Sequence, residues 1–234
     1  MLTAACGGSS GAVSAPSASR PAAPAKLVVF AASSLTKAFS AEGKAFETTH
    51  AGTTVTFSFA GSQSLVAQLK QGAPADVLAT ADTATMTAAG LSGATVIARN
   101  RLAILAAPGN PKHVMTLADL ARPGLRVVLA GPTVPVGKAA RKALAAAHVT
   151  VHPRSLEQDV KGVVTKVRLG EADAGVGYVT DVTPQVTGVP LPGISNSYPI
   201  AAVHPGAAAQ AFIDFVKSSP GQAILASFGF LPPS

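Results

Sequence analysis

From Lys26 onward the chain alternates short apolar runs with longer amphipathic stretches. KLVVFAAS (26–33) is a continuous apolar run of strand length. LTKAFSAEGKAFETT (35–49) then places Leu35, Ala38, Phe39, Ala45 and Phe46 at helical spacing. A buried strand running into a helix is predicted. The pattern returns as TVTFSFA (54–60) before SLVAQLKQG (64–72), and as DVLAT (76–80) before a short helix through Met86 that ends at Gly90. A second series follows: a strand RLAILAAP (101–108), a helix around Leu117–Leu120, a strand RVVLAG (126–131), helices over 136–147 and 160–169, and a strand AGVGY (174–178). SYPIAAVH (197–204) reads as a further strand, and AAAQAFIDFVKS with GQAILASFGF supply two terminal helices. Regular alternation of strand and helix predicts an α/β fold with a largely parallel sheet. RLAILAAP and SYPIAAVH are read as two crossings between lobes. Lobe 1 then takes residues 26–104 plus 201–234, lobe 2 takes 105–200, and the last helices pack back on lobe 1.

Residues 1–25 (MLTAACGGSSGAVSAPSASRPAAPA) carry no such pattern; Ala, Ser, Gly and Pro without periodicity predict a linker. A small-residue segment ending in Cys6 and followed by Gly-Gly-Ser-Ser resembles the cleavage box of a bacterial lipoprotein, which makes Cys6 a candidate lipid-attachment site. Thr3 stands where that box usually carries Leu, and the alternative is a low-complexity tail with an incidental cysteine.

Composition narrows the classes. Hydrophobic residues make up 48% of the 234, yet no run approaches the roughly 18 apolar residues of a membrane span. The formal charge of +7 raises a nucleic acid as partner, but the basic residues are scattered, Trp is absent and aromatics are 5%, so a solvated basic surface is the reading. With Cys6 as the single cysteine there is no intramolecular disulfide and no Cys-based zinc site. His148 and His152 have the spacing of a helical metal pair, but Pro153 and the β-branched run 149–151 argue against a helix there. They are read as surface histidines.

The candidate chemistry lies at strand ends, where ligands of open α/β sheets gather. Three of them deliver a small polar or Gly-containing turn straight onto a helix start: Ala32-Ser33-Ser34, Gly61-Ser62-Gln63-Ser64, and Pro132 to Gly137. A helix N-terminus exposes unpaired N–H groups and about half a positive charge, so it holds an anion without a cationic side chain. Ser is also a preferred N-cap, and for each serine capping is the alternative. GPTVPVGKAA (131–140) fails as a P-loop: five residues separate Gly131 from Gly137 where four are needed, and Ala139 replaces the Mg²⁺-holding hydroxyl. Neither Ser34 nor Ser62 lies in G-x-S-x-G, and no histidine follows a strand end as base, which disfavours a serine hydrolase.

FAASSLTKAF (30–39), FAGSQSLVAQLKQGAPADVLATAD (59–82), the Pro-Val-Gly segment, EQDVKGVV (157–164) and ADAGVGYVTD (172–181) together resemble the periplasmic molybdate-binding proteins, in that family's order and over about residues 26–230. The resemblance implies a two-lobed periplasmic-binding-protein fold of type II, with two crossover strands as hinge. It implies an extracytoplasmic, non-enzymatic, monomeric protein that captures molybdate or tungstate and passes it to an ABC permease and its ATPase. No cofactor, metal cation or nucleic acid is involved, and any membrane contact runs through a lipid anchor. Carried over by position, the oxyanion would be held by Ser34 and Ser62 with their own N–H groups, the amides of Val136 and Val160, and the Tyr178 hydroxyl, with Ser33 the alternative to Ser34. Asp159 is read as the cap of the helix beginning at Val160. Sulfate or another oxyanion on the same architecture is the alternative ligand.

Overall fold

The computed structural model describes residues 25–233. The linker and the lipid-attachment site expected at Cys6 lie outside them.

The first half of the chain builds β1 (Ala25–Ala32), α1 (Thr36–Thr49), β2 (Thr53–Ala60), α2 (Ser62–Lys70), β3 (Val77–Ala79), α3 (Thr83–Ala89) and β4 (Thr95–Ala106). The second builds β5 (Val127–Ala130), α4 (Pro135–Ala146), β6 (Ser155–Glu157), α5 (Val160–Arg168), β7 (Ala174–Tyr178), β8 (Thr187–Ala202), α6 (Ala207–Lys217) and α7 (Ser219–Ser227). Short 3-10 turns cover Ser33–Leu35, Ala118–Ala121 and Val179–Asp181. The second of these stands where a helix was expected.

The strands form one ladder in the order β2-β1-β3-β8-β4-β7-β5-β6. Pairing is parallel within β2-β1-β3 and within β7-β5-β6, as the strand-helix alternation requires. It is antiparallel wherever β4 or β8 takes part, so the sheet as a whole is mixed. The start of β4 pairs the end of β8, which in turn pairs β3. The end of β4 pairs β7 and the start of β8. These two long strands therefore join the halves of the sheet.

Both are longer than the sequence pattern suggests: β4 starts at Thr95 rather than Arg101, and β8 at Thr187 rather than Ser197. Pro190, Pro192 and Gly193 hide the early part of β8, because proline within a run argues against a strand. The ladder accommodates them by a register shift: Arg101 faces Ser195, whereas Ala103 faces Pro190.

Burial follows from this topology. The last four residues of β1, together with all of β5 and β7, are buried and read as near-continuous apolar runs because both faces of those strands are covered by helices. α6 packs back against the first half, with Phe212 set edge-on to Phe39 and Phe46. His148 and His152 are exposed. Among the described residues no helix is long and apolar enough to cross a membrane, and no group of three His, Cys, Asp or Glu side chains could hold a metal ion.

Candidate functional site

The carboxyl ends of β1, β2, β3, β5, β6 and β7 meet around one small cavity walled by Ser33, Ser34, Gly61, Ser62, Ala81, Val134 to Val136, Asp159, Val160 and Tyr178. All five side chains or amides expected from the sequence, at Ser34, Ser62, Val136, Val160 and Tyr178, are brought together there, and Ser33 stands beside Ser34 on the same wall. Space for the centre of a water-sized sphere is about 10 Å³. That is room for about one water molecule, so the closed cavity excludes a sugar or an amino acid.

Three helical segments begin at this cavity without any side-chain cap: the 3-10 turn leading into α1 (N-cap Ala32), α2 (N-cap Gly61) and α4 (N-cap Val134). The serines are thus not N-caps; Ser62 is already the first residue of α2. Ser33, Ser34, Gly61, Ser62, Val134, Pro135 and Val136 are all buried. Buried first-turn N–H groups without a cap need an acceptor from elsewhere. Gly137 brings α4 this close, since a Cβ there would collide with the backbone carbonyls of Gly131 and Ala130. The fourth helix, α5, is capped by Asp159, whose Oδ1 accepts from Gly162 N–H at 2.9 Å. That carboxylate is the one charged group on the wall, and no Lys, Arg or His belongs to it.

The hydroxyls are held from behind. Ala81 N–H donates to Ser62 Oγ at 3.0 Å, Asn196 Nδ2 donates to Tyr178 Oη at 2.9 Å, and Ser34 Oγ lies 3.0 Å from Tyr198 Oη. Burial raises both phenols well above the ordinary tyrosine range, so Tyr178 and Tyr198 stay protonated and able to donate. Asp181 anchors the Tyr178 backbone, its Oδ2 accepting from Tyr178 N–H at 3.1 Å while Oδ1 accepts from Lys161 Nζ at 2.8 Å.

Contacts also cross the cleft. Lys138 Nζ, on α4, donates to Asp82 Oδ2 at 3.0 Å and to Thr85 Oγ1 at 2.9 Å, both near the start of α3. Gln63 Nε2 donates to Gln158 O at 2.8 Å, and a Cβ on Gly61 would lie 2.5 Å from that same carbonyl. The two halves are closed on the cavity.

The model of the bacterial extracellular solute-binding proteins matches residues 27–231. The chain belongs to that family. This solute-binding protein is 43% identical over 234 residues, 92% of its own chain and 90% of the relative, to the molybdate-binding protein ModA of Mycobacterium bovis. In fold it is similar to the periplasmic molybdate-binding protein of Azotobacter vinelandii, with a TM-score of 0.71 and 20% identity over 89% of this chain and 100% of that one. It is similar also to the sulfate-binding protein SubI of Mycobacterium tuberculosis, with a TM-score of 0.79 and 20% identity over 89% and 87%. These neighbours share the two-lobed type II binding-protein fold, in which β4 and β8 are the crossover strands.

Sequence reasoning missed Ala81, Asn196 and Tyr198. Ala81 carries the same strand-end signal as the serine turns, directly after DVLAT. Asn196 and Tyr198 gave no signal, because the sequence pattern puts Asn196 outside any strand and makes Tyr198 only an apolar strand residue.

Proposed function

We propose that the protein captures one tetrahedral oxyanion, molybdate or tungstate, between its lobes and delivers it to an ABC permease with its ATPase. The observation that carries this reading is the set of three buried, uncapped helix starts around one small cavity with no cation in its wall. The anion would accept from Ser34 and Ser62, from the amides of Val136 and Val160, and from Tyr178. Neutral donors cost less to desolvate than Arg or Lys, and many short charge-assisted bonds still hold a dianion. A shell of donors favours fully deprotonated anions over hydrogen phosphate, whose proton would lack an acceptor. The name and 43% identity of the mycobacterial relative favour molybdate over sulfate. Lobe 1 is taken as residues 26–104 with 201–234, and lobe 2 as 105–200. An anion bridging both selects the closed form that the permease recognises. A lipid at Cys6 would tether a monomeric receptor outside the cytoplasm.

Catalysis is not part of the reading: the Ser62 hydroxyl is engaged by a backbone N–H and the Ser34 hydroxyl by a phenol, neither of them a base. The test is the melting temperature of the full chain with molybdate, tungstate, sulfate or phosphate. Molybdate at about a hundredfold over Kd should add roughly 5–10 °C, and sulfate and phosphate much less. Ser62→Ala and Tyr178→Phe should each lose about ten- to hundredfold in affinity while the unliganded chain still melts cooperatively. Equal shifts from sulfate would remove molybdate from the account, and unchanged affinity in both variants would remove the site.

A further inference from the structure

One side chain on a crossover strand reaches both lobes. Asn196 of β8 donates through Nδ2 to the carbonyl of Ala81 at 3.0 Å and to the Tyr178 hydroxyl at 2.9 Å. A carbonyl oxygen only accepts, so the atom facing Ala81 is the amide nitrogen, and its second proton goes to the phenol oxygen. Tyr178 therefore accepts from behind, so its own proton cannot point back at the amide and is left for the neighbouring Tyr198 hydroxyl or for an anion in the cavity. The N–H of the same Ala81 donates to Ser62 Oγ at 3.0 Å, which fixes Ser62 in the same sense. Asn196 and the Ala81 peptide thus orient one hydroxyl from each lobe as a donor.

We propose that Asn196 is a positioning residue that sets the hydrogen-bond polarity of the site, and through it the preference for a fully deprotonated dianion over one that carries a proton. The inference rests on the oxyanion reading above. A carboxylate at this position reverses the logic: it accepts the phenol proton, and Tyr178 then presents a lone pair to the cavity. That lone pair suits the P–OH of hydrogen phosphate and repels an oxygen of molybdate. A purely structural role would weaken both ions alike.

The experiment measures the dissociation constants of molybdate and inorganic phosphate for the full chain and for Asn196→Asp and Asn196→Ala, at about pH 8, where both anions are doubly charged. Equal charge cancels simple repulsion from the ratio of the two constants. The preference for molybdate should fall by about tenfold in Asn196→Asp, the worth of one well-placed hydrogen bond, and by less in Asn196→Ala, where the phenol is free to rotate. A fall of less than about threefold in Asn196→Asp, with the variant melting cooperatively, overturns the proposal. Should that variant not fold, the Asn196→Ala ratio decides in its place: any fall beyond about twofold supports the proposal and an unchanged ratio overturns it. Wild-type protein that binds no molybdate at all would instead overturn the oxyanion reading itself, which separates the two failures.

Discussion

At the residue scale the site depends on what each donor has behind it, and a buried group outside the cavity wall lacks any such partner. Glu42 on α1 is fully buried, with neither carboxylate oxygen paired. Burial pushes its carboxyl from 4.5 up to about 8. The folded chain therefore keeps a proton there that the unfolded chain has released. The stability this contributes is complete below about pH 4.5 and is lost as pH rises toward 8, by on the order of a few kcal/mol. Denaturant unfolding measured from acid to mildly alkaline pH should show that decline, and Glu42→Met should flatten it. An identical pH profile in the variant would contradict the assignment. The serine turns were legible in the sequence because each follows a strand end, whereas Tyr178, the last residue of β7, came only from the resemblance to a known family. The amides of Val136 and Val160 were not legible from their side chains; only the resemblance to a known family pointed to them.

At the scale of elements, two of the helix starts that border the cavity, those of α2 and α4, depend on glycine. Gly61 caps α2 and sits against the Gln158 carbonyl of the other lobe. Gly61→Ala should leave the unliganded fold nearly unchanged but hold the lobes apart, weakening molybdate binding by about tenfold or more in a titration. Full affinity in that variant would mean that closure does not bring Gly61 and Gln158 together. The alternation of apolar runs and amphipathic stretches made most of these elements readable in advance. Besides the unpredicted short β6 and the 3-10 turn at Ala118–Ala121, the misreadings fall at β4 and β8, where antiparallel partners, two prolines and a register shift replace the simple strand-helix rhythm. Asn196 went unnoticed for that reason, since its role exists only once β8 is seen to begin at Thr187.

At the scale of the whole molecule, two parallel sheet halves joined by β4 and β8 put strand ends from both sides around one small space. The Lys138 and Gln63 contacts across the cleft add little energy individually at a partly exposed rim, so the closed arrangement should depend on the ligand. The basic charge of +7 is spent elsewhere on the surface, because no cation faces the cavity. Calorimetric titration of the full chain with molybdate, and separately with sulfate, tests this account most directly. One molybdate per chain, bound at least about a hundredfold more tightly than sulfate, is the predicted result. Equal affinity for the two anions, or no heat with molybdate, would contradict it.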